Sequence, residues 1–200
     1  MNVQEATTRR LPDLKERHLP ENCRETINTI LKETYGYEQF RNLEIYDDLS
    51  KGKEKLCISQ GQLIENVILE AEKAWKSETQ VDNILLTAPT GSGKSLLFQL
   101  PAIYLGKEYN LLTIVVSPLK ALIVDQVESL QELGYMRVAY ASSDLSPEQK
   151  MEVYRQVREG EIDLFYLSPE LLLSYDIKHF VGERRIGLVV VDEAHTVTTW

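Results

Sequence analysis

The sequence has few cysteines, no long apolar run and no excess of positive charge, and each absence excludes a class of protein. Its two cysteines, Cys23 and Cys57, lie far apart and lack ligand-type spacing, so neither a disulfide framework nor a zinc site is predicted. A reducing cytoplasm is therefore the expected location. No run of about 18 apolar residues is present, so no membrane-spanning helix is expected. The N-terminal segment has no apolar core of the kind that a secretion signal needs.

The charge balance is acidic, with 31 acidic residues against 22 basic ones and a net charge of −9. A protein that coats nucleic acid through its overall charge would be basic, so that general role is disfavoured, although a local track on one face is not excluded. The 200 residues are 43% hydrophobic. This is enough apolar material for a core of one domain or slightly more.

A glycine-rich turn lies between a short apolar run and an apolar helical pattern at residues 83–104. Residues 84–86 predict a buried strand, and the order of strand, loop and helix is typical of a phosphate-binding P-loop. Glycines let the backbone approach phosphate closely, and the helix dipole favours an anion there. Lys94 would neutralise the β- and γ-phosphates of ATP, and the Ser95 hydroxyl would hold Mg²⁺. Ala88 stands where such loops usually have their first glycine. The residues predicted to bind the nucleotide are Thr90, Gly91, Ser92, Gly93, Lys94 and Ser95.

Short apolar segments alternate with amphipathic helical patterns in the rest of the chain. Strands are predicted at residues 113–117, 138–141, 162–167 and 187–191. Helices are predicted from residue 121 to Gly134 and from the Ser146 N-cap to Gly160, whereas Pro101 is expected to kink or end the P-loop helix. This alternation predicts an α/β fold with a mainly parallel sheet that is covered by helices on both faces.

The region before the P-loop is expected to be a separate, mainly helical part of the chain. Residues 26–32 and 63–75 have apolar positions at helical spacing, and the charged residues 47–55 predict a surface loop. We therefore predict an N-terminal region at residues 1–80 and a nucleotide-binding domain at residues 81–200.

Acidic residues follow the last predicted strand directly, in the order Asp192, Glu193, Ala194 and His195. The carboxyl ends of parallel strands are where open α/β sheets bind their ligands. Asp192 is suited to hold Mg²⁺ opposite Ser95, and Glu193 to orient and deprotonate the water that attacks the γ-phosphate. His195 would couple the nucleotide state to a neighbouring ligand. The predicted catalytic residues are Lys94, Asp192, Glu193 and His195.

Four stretches together resemble the first motor domain of superfamily 2 DExH-type helicases, and in particular the RecQ-like DNA helicases. APTGSGKSLLFQLPAIY is similar to motif I of that family, and VVSPLKALIVDQVESL to motif Ia. IDLFYLSPELL is similar to the segment with the Ser-Pro-Glu signature, and VVVDEAHTVTTW to motif II and the start of the aromatic-rich loop. The stretches occur in the order and spacing of the family across residues 83–200.

The resemblance implies a RecA-like P-loop NTPase fold, hydrolysis of ATP with Mg²⁺, and 3′-to-5′ movement on DNA in repair or recombination. It also implies contacts with single-stranded DNA by Ser117, Pro118, Leu119, Lys120, Ser168 and Trp200. From the residues alone, Ser117–Pro118 is equally a strand end with a proline turn, Ser168 an ordinary helix start, and Trp200 a frayed terminus.

The resemblance is weakest at the segment that reads adenine. In the family, a Phe-Arg pair is followed closely by a glutamine, whereas here the charged residues 47–55 separate Phe40–Arg41 from Gln62. Gln62 is the favoured adenine-reading residue because it heads the helix before the P-loop, and Tyr37, Phe40 and Arg41 are the alternative.

The stretch of family motifs stops at motif II, so we expect a second RecA-like domain, with its arginines, in a longer chain. In that case the 200 residues alone would hydrolyse ATP poorly. Two other functions stay open: a nucleotide-dependent scaffold that binds nucleic acid without unwinding it, and an RNA helicase of the DEAH type. A metabolic P-loop kinase is disfavoured by the Asp-Glu-Ala-His sequence.

Overall fold

The computed structural model describes residues 18–46, 55–77, 83–86 and 91–193, with the backbone alone at residues 45–46, 55–56 and 77. The chain divides into two compact units, Met1–Pro101 and Ala102–Trp200. The predicted domains at residues 1–80 and 81–200 stay a prediction. The described elements are α1 Glu21–Tyr35, β1 Asn42–Tyr46, β2 Lys55–Ser59, α2 Gln60–Ser77, α3 Leu96–Tyr109, β3 Leu112–Val116, α4 Lys120–Glu132, β4 Val138–Ala141, α5 Pro147–Arg158, β5 Leu164–Leu167, α6 Pro169–Ser174, α7 Ile177–Val181 and β6 Ile186–Val191.

The first unit contains the two helices that the sequence predicts before the P-loop. α1 is longer than its predicted core at residues 26–32 and buries Ile27, Ile30 and Leu31. It ends at Gly36, whose φ of 68° lets its N–H donate to the Lys32 carbonyl at 3.0 Å. α2 begins at Gln60, earlier than predicted, and buries much of its apolar stripe, including a fully buried Ile64, whereas Trp75 near its end is 36% exposed.

An antiparallel strand pair, β1 and β2, joins these helices, and the sequence analysis did not predict it. Asn42 is paired with Ser59 and Tyr46 with Lys55. The predicted charged loop at residues 47–55 lies outside the described residues except for Lys55, which begins β2. The pair brings Arg41, just before β1, next to Gln60, just after β2, and the Gln60 N–H donates to the Arg41 carbonyl at 2.9 Å.

The second unit is built on a four-stranded parallel sheet with the strand order β4-β5-β3-β6. Every residue of β3 and β5 is buried, as the near-continuous apolar runs in the sequence predict. The core on this sheet includes Phe165, Phe180 and Tyr154 from β5, α7 and α5. The predicted α/β fold with a mainly parallel sheet is confirmed.

The helix boundaries in the second unit follow the sequence signals closely. α4 ends before Gly134, which has a φ of 86° and whose N–H donates to the Gln131 carbonyl at 2.9 Å. α5 begins with the predicted capping box. The Ser146 hydroxyl accepts from the Gln149 N–H at 3.2 Å, and the Gln149 side chain accepts from the Ser146 N–H at 2.8 Å.

One local prediction is wrong, and another is wrong in one of its two alternatives. Residues 84–86 do not form a buried strand: they have no strand structure, and Ile84 and Leu85 are 50% and 82% exposed. A short apolar run forms a strand only with hydrogen-bond partners on a neighbouring strand, and the described sheet does not include it. Pro101 was expected to kink or end the P-loop helix, and it does not end it, because α3 continues to Tyr109. A kink at Pro101 stays a prediction. The neighbours of Pro101, Leu100 and Ala102, are fully buried, and this packing offsets the lost hydrogen bond.

No helix in the described ranges is both long enough and apolar enough to cross a membrane.

Candidate functional site

The described part of the P-loop, Gly91–Ser95, has the backbone conformation that its glycines predict. Gly91 and Gly93 both have a φ of 80°, in the left-handed region that side chains disfavour. The Leu97 N–H donates to the Lys94 carbonyl at 3.0 Å, so helical hydrogen bonding begins directly after the loop. Thr90 was also predicted to bind the nucleotide, but it lies outside the described residues.

The loop fits a phosphate group on two observations. The Ser92 hydroxyl is buried, and within the described residues it has no hydrogen-bond partner. Buried polar atoms are normally paired, so this hydroxyl is available to an oxygen-rich ligand. A Cβ at Gly91 would meet no atom of the described residues within 4 Å, which leaves space beside the loop in that part of the structure. The donor set of backbone N–H groups, a hydroxyl and the Lys94 ammonium suits an anion such as ATP.

The Gln60 side chain contacts the described part of the P-loop, and the sequence analysis missed it. It is 2% exposed and its Nε2 donates to the Ser92 carbonyl at 3.2 Å, while its Oε1 accepts from the Arg41 N–H at 3.1 Å. Gln62, the predicted adenine reader, lies two residues further along α2 and is half-buried, and its backbone carbonyl accepts from the Asn66 side chain at 2.8 Å. The sequence signal for Gln60 is that Gln60 and Gln62 flank the same residue, Gly61.

The alternative adenine-reading residues form an aromatic and cationic cluster. The Arg41 guanidinium carbon lies 5.9 Å from the centre of the Tyr37 ring, and Tyr37 is stacked on Tyr35 with ring centres 6.4 Å apart. Tyr37 is 47% exposed, so solvent reaches part of its side chain. Phe40 packs instead against Gly61, where a Cβ would come within 2.6 Å of its ring. The structure thus separates Phe40 from the exposed pair of Tyr37 and Arg41.

The predicted catalytic carboxylates lie at the carboxyl end of β6. The Asp192 N–H donates to the Val116 carbonyl at 2.9 Å and continues the β6–β3 pairing beyond its last strand pair. Asp192 therefore lies at the same sheet edge as Ser117, which follows β3. Glu193 has a φ of 51°, a left-handed conformation that is uncommon outside glycine and that occurs often at functional sites. His195 lies outside the described residues.

The residues predicted to contact DNA differ in their exposure. Ser117 and Ser168 are 1% and 2% exposed, and the Ser168 hydroxyl accepts from the Leu171 N–H at 3.4 Å as the N-cap of α6. Leu119 is 55% exposed, Pro118 is half-buried, and Lys120 is exposed at the start of α4. Trp200 lies outside the described residues. Among the predicted DNA contacts that the structure describes, Leu119 and Lys120 are the most exposed.

Lys120 also has a partner within the chain. Its ammonium is 2.9 Å from a carboxylate oxygen of Asp144 and donates to the Ser143 hydroxyl at 2.5 Å. The hydrogen bond from Lys120 lowers the pKa of Asp144 below its usual value. Both side chains are on the surface, so a phosphate group that approached Lys120 would compete with a solvent-exposed carboxylate.

A sequence model of the DEAD/DEAH box helicase family matches residues 69–200. The chain is 33% identical over 177 residues to ATP-dependent DNA helicase Q-like 5 of Arabidopsis thaliana, across 88% of this chain and 16% of that protein. It is 32% identical over 179 residues to ATP-dependent DNA helicase RecQ of Synechocystis sp., across 88% of this chain and 31% of that protein. The chain therefore spans less than a third of these relatives.

A solved structure supports the fold. The crystal structure of the DUF1998 helicase MrfA bound to DNA and AMPPNP is similar to this chain, with a TM-score of 0.53 at 22% identity. The similarity covers 90% of this chain and 22% of that one.

Proposed function

Because the chain belongs to the DEAD/DEAH box helicase family, we propose that it is the first RecA-like motor domain of an ATP-dependent DNA helicase of the RecQ type. The observation that carries this proposal is the left-handed backbone at Gly91 and Gly93, which exposes the P-loop to an anion directly before Lys94. The acidic pair Asp192–Glu193 lies at the carboxyl end of a parallel strand, where open α/β sheets bind their ligands, and this supports the proposed catalytic carboxylates.

In this proposal each residue has a defined task toward ATP. The P-loop N–H groups bind the phosphates, and Lys94 neutralises their charge. Ser95 and Asp192 are the residues that would hold Mg²⁺, which supplies positive charge to the β- and γ-phosphate oxygens when bound. Glu193 orients the attacking water and accepts its proton. Tyr37 and Arg41 offer a planar surface for the adenine, and Gln62 stays the predicted hydrogen-bonding residue for that base.

DNA is the proposed second ligand. Leu119 and Lys120 follow the strand β3, and Asp192 follows the neighbouring strand β6 at the same edge of the sheet. A DNA backbone that contacts Leu119 and Lys120 would therefore lie close to the proposed catalytic carboxylates. Ser117 and Ser168 are buried, and their contacts with DNA stay predictions. Movement in the 3′-to-5′ direction, and completion of the site by the arginines of a second RecA-like domain, are part of the same proposal.

ATP turnover by the natural gene product, with and without single-stranded DNA, tests this function. We expect strong stimulation by DNA, weak stimulation by RNA of the same sequence, and little turnover by the 200 residues alone. Stimulation by RNA in preference to DNA would favour the DEAH-type RNA helicase, and vigorous turnover by the 200 residues alone would rule out a two-domain motor.

A substitution at Glu193 distinguishes an ATP-hydrolysing helicase from a nucleotide-dependent scaffold. Glu193→Gln should bind ATP as the unmodified protein does but lose turnover by about 10² or more, because the general base is removed. Glu148→Gln, on the exposed first turn of α5, is the matched control and should leave turnover unchanged. DNA binding that depends on ATP, without any turnover in the unmodified protein, would identify the nucleotide-dependent scaffold instead.

A further inference from the structure

Lys120, one of the proposed DNA contacts, is held in an ion pair whose partner follows a different strand of the sheet. Its ammonium lies 2.9 Å from Asp144 Oδ1 and donates to the Ser143 hydroxyl at 2.5 Å. Lys120 follows β3 and begins α4, whereas Ser143 and Asp144 follow β4 and precede α5. In the sheet, the strand β5 separates β3 from β4. The pair therefore joins two segments that both leave the carboxyl edge of the sheet.

A second cation lies beside the segment that carries Asp144. The Lys150 ammonium donates to the Ser143 carbonyl at 3.4 Å, and the Ser143 hydroxyl donates to Asp144 Oδ1 at 3.3 Å. The hydrogen bond from Lys120 and the nearby charge of Lys150 both lower the pKa of Asp144, so its carboxylate is ionised at neutral pH. This carboxylate cancels one of the two positive charges that the lysines would otherwise present to a phosphate.

The ion pair is open to a competing anion. The side chains of Lys120 and Asp144 are 45% and 69% exposed. An ion pair between exposed side chains contributes little to stability, because water screens the charges and two side chains lose freedom. The ammonium of a lysine has three N–H donors on a flexible stem, so it can move from a carboxylate to a phosphate. Asp144 and a DNA phosphate are therefore alternative partners of the same ammonium.

We propose that Asp144 is an intramolecular competitor of DNA, which occupies the Lys120 ammonium until a phosphate of the DNA backbone displaces it. This inference rests on the proposed function, which assigns Lys120 to DNA. Binding then exchanges one anionic partner for another, and the released Asp144 carboxylate attracts a cation from solution. This uptake offsets the counterion that the neutralised phosphate releases. Asp144 therefore lowers both the affinity for single-stranded DNA and the dependence of that affinity on salt.

Equilibrium binding of a fluorescent oligothymidine to the natural gene product, measured by anisotropy without nucleotide, tests the inference. Asp144→Asn should bind about two- to fivefold more tightly at low salt, as expected for the loss of an exposed competing charge. Between about 50 and 200 mM NaCl, the slope of log K against log salt concentration should be steeper by about 0.7, the value of one phosphate contact on a single strand.

Glu132→Gln is the matched control for the change in net charge. Glu132 is an exposed carboxylate at the last residue of α4, which begins at Lys120. It lies roughly 18 Å along the helix from Lys120, which is beyond a Debye length at these salt concentrations. Glu132→Gln removes the same charge as Asp144→Asn but should leave both the affinity and the salt slope unchanged.

Lys120→Ala shows whether Asp144 acts through Lys120. This variant should bind the oligothymidine more weakly, and adding Asp144→Asn to it should give no gain, because the competitor then has no ammonium to occupy. An equal gain in both backgrounds would overturn the inference, since Asp144 would then repel DNA directly. Weaker binding by Asp144→Asn alone would also overturn it, because the carboxylate would then hold Lys120 in position for DNA.

The same measurements separate failure of the inference from failure of the proposed function. If the unmodified protein binds the oligothymidine and neither Lys120→Ala nor Asp144→Asn changes its affinity, the inference alone fails. If the unmodified protein does not bind single-stranded DNA, the proposed function fails and the inference fails with it.

Discussion

Asp163 and Arg184 form an ion pair of 2.9 Å in which both side chains are almost fully buried, at 3% and 5% exposure. Arg137 reaches the same carboxylate from the surface at 2.6 Å, and Tyr135 donates its hydroxyl at 3.2 Å. Burial lowers the pKa of Arg184, and the contact with Asp163 opposes that effect. The hydrogen bond to Asp163 raises the pKa of Arg137. Asp163 precedes β5, so this cluster lies at the amino ends of the strands, away from the edge that carries Asp192.

Removal of the Asp163 charge should destabilise the fold strongly. Asp163→Asn leaves the Arg184 guanidinium buried without its counter-charge, and breaking a buried pair in this way costs about 3–5 kcal/mol. The free energy of unfolding in urea measures the loss. Arg137→Ala is the control: that side chain is 46% exposed, so its removal should cost only about 1 kcal/mol. Equal costs for the two variants would contradict a dominant role for the buried pair.

Gly106 in α3 has no room for a side chain because Asp163 lies against it. A Cβ there would come within 2.3 Å of the Asp163 carboxyl carbon. Alanine normally stabilises a helix interior by about 1 kcal/mol relative to glycine. Here we expect the opposite sign, with Gly106→Ala costing about 1–3 kcal/mol through the forced shift of Asp163. Thermal unfolding would reveal the sign, and a higher melting temperature in Gly106→Ala would refute this packing.

The capping box of α5 should contribute measurably to stability. Ser146→Ala removes the acceptor for the Gln149 N–H and should lower the free energy of unfolding by about 1 kcal/mol. Ser129→Ala, at an exposed position within α4, should be neutral or slightly stabilising because alanine is the better helix former. Equal effects of the two substitutions on the urea midpoint would mean that the Ser146 cap contributes nothing.

Acid should destabilise the helix α5 through its carboxylates. Hydrogen bonds from Arg155 lower the pKa of Glu152 and Glu161. The pKa of Glu148 is lowered by a hydrogen bond from the Glu148 backbone N–H and by one from the Ser146 hydroxyl. A carboxylate with a lowered folded pKa stabilises the fold above its unfolded pKa of 4.5, and that contribution is lost as the pH falls through the folded value. The urea midpoint should therefore be steady from about pH 7 to pH 5 and fall below pH 4.5.

Arg155→Ala tests the source of this acid sensitivity. Without its guanidinium the pKa values of Glu152 and Glu161 return toward their usual values, so the fall below pH 4.5 should be shallower. An unchanged acid profile in Arg155→Ala would contradict the assignment.

The sequence predicted an element correctly where one short segment contained all the residues that determine it. The capping box at Ser146 and the glycine at Gly134 fixed helix ends because their hydrogen bonds involve residues within one turn. β4 has the predicted bounds, and β3, β5 and β6 differ from theirs by one or two residues. Their all-apolar runs predict buried parallel strands without further information.

The failures have one physical cause, which is dependence on partners distant in sequence. Residues 84–86 are apolar enough for a strand, but a strand needs a neighbour. Gln60 and Gln62 look alike in sequence, and only the pairing of β1 with β2 brings Arg41 to Gln60. The P-loop residues and the acidic pair are candidates from the sequence alone because their chemistry requires a fixed spacing, and their roles stay predictions. Gln60, whose side chain contacts the loop, could not be named in this way because its contacts depend on the pairing of β1 with β2.

The affinity of the 200-residue chain for Mg²⁺-ATP, with and without Lys94→Ala, tests the central claim most directly. Isothermal titration calorimetry would give both dissociation constants, and circular dichroism would show that the variant keeps its fold. The account predicts Mg²⁺-dependent binding that weakens at least tenfold in Lys94→Ala, a loss of about 1.4 kcal/mol or more. Equal affinities for the folded unmodified chain and the folded variant would contradict it, because the P-loop would then not be the nucleotide site.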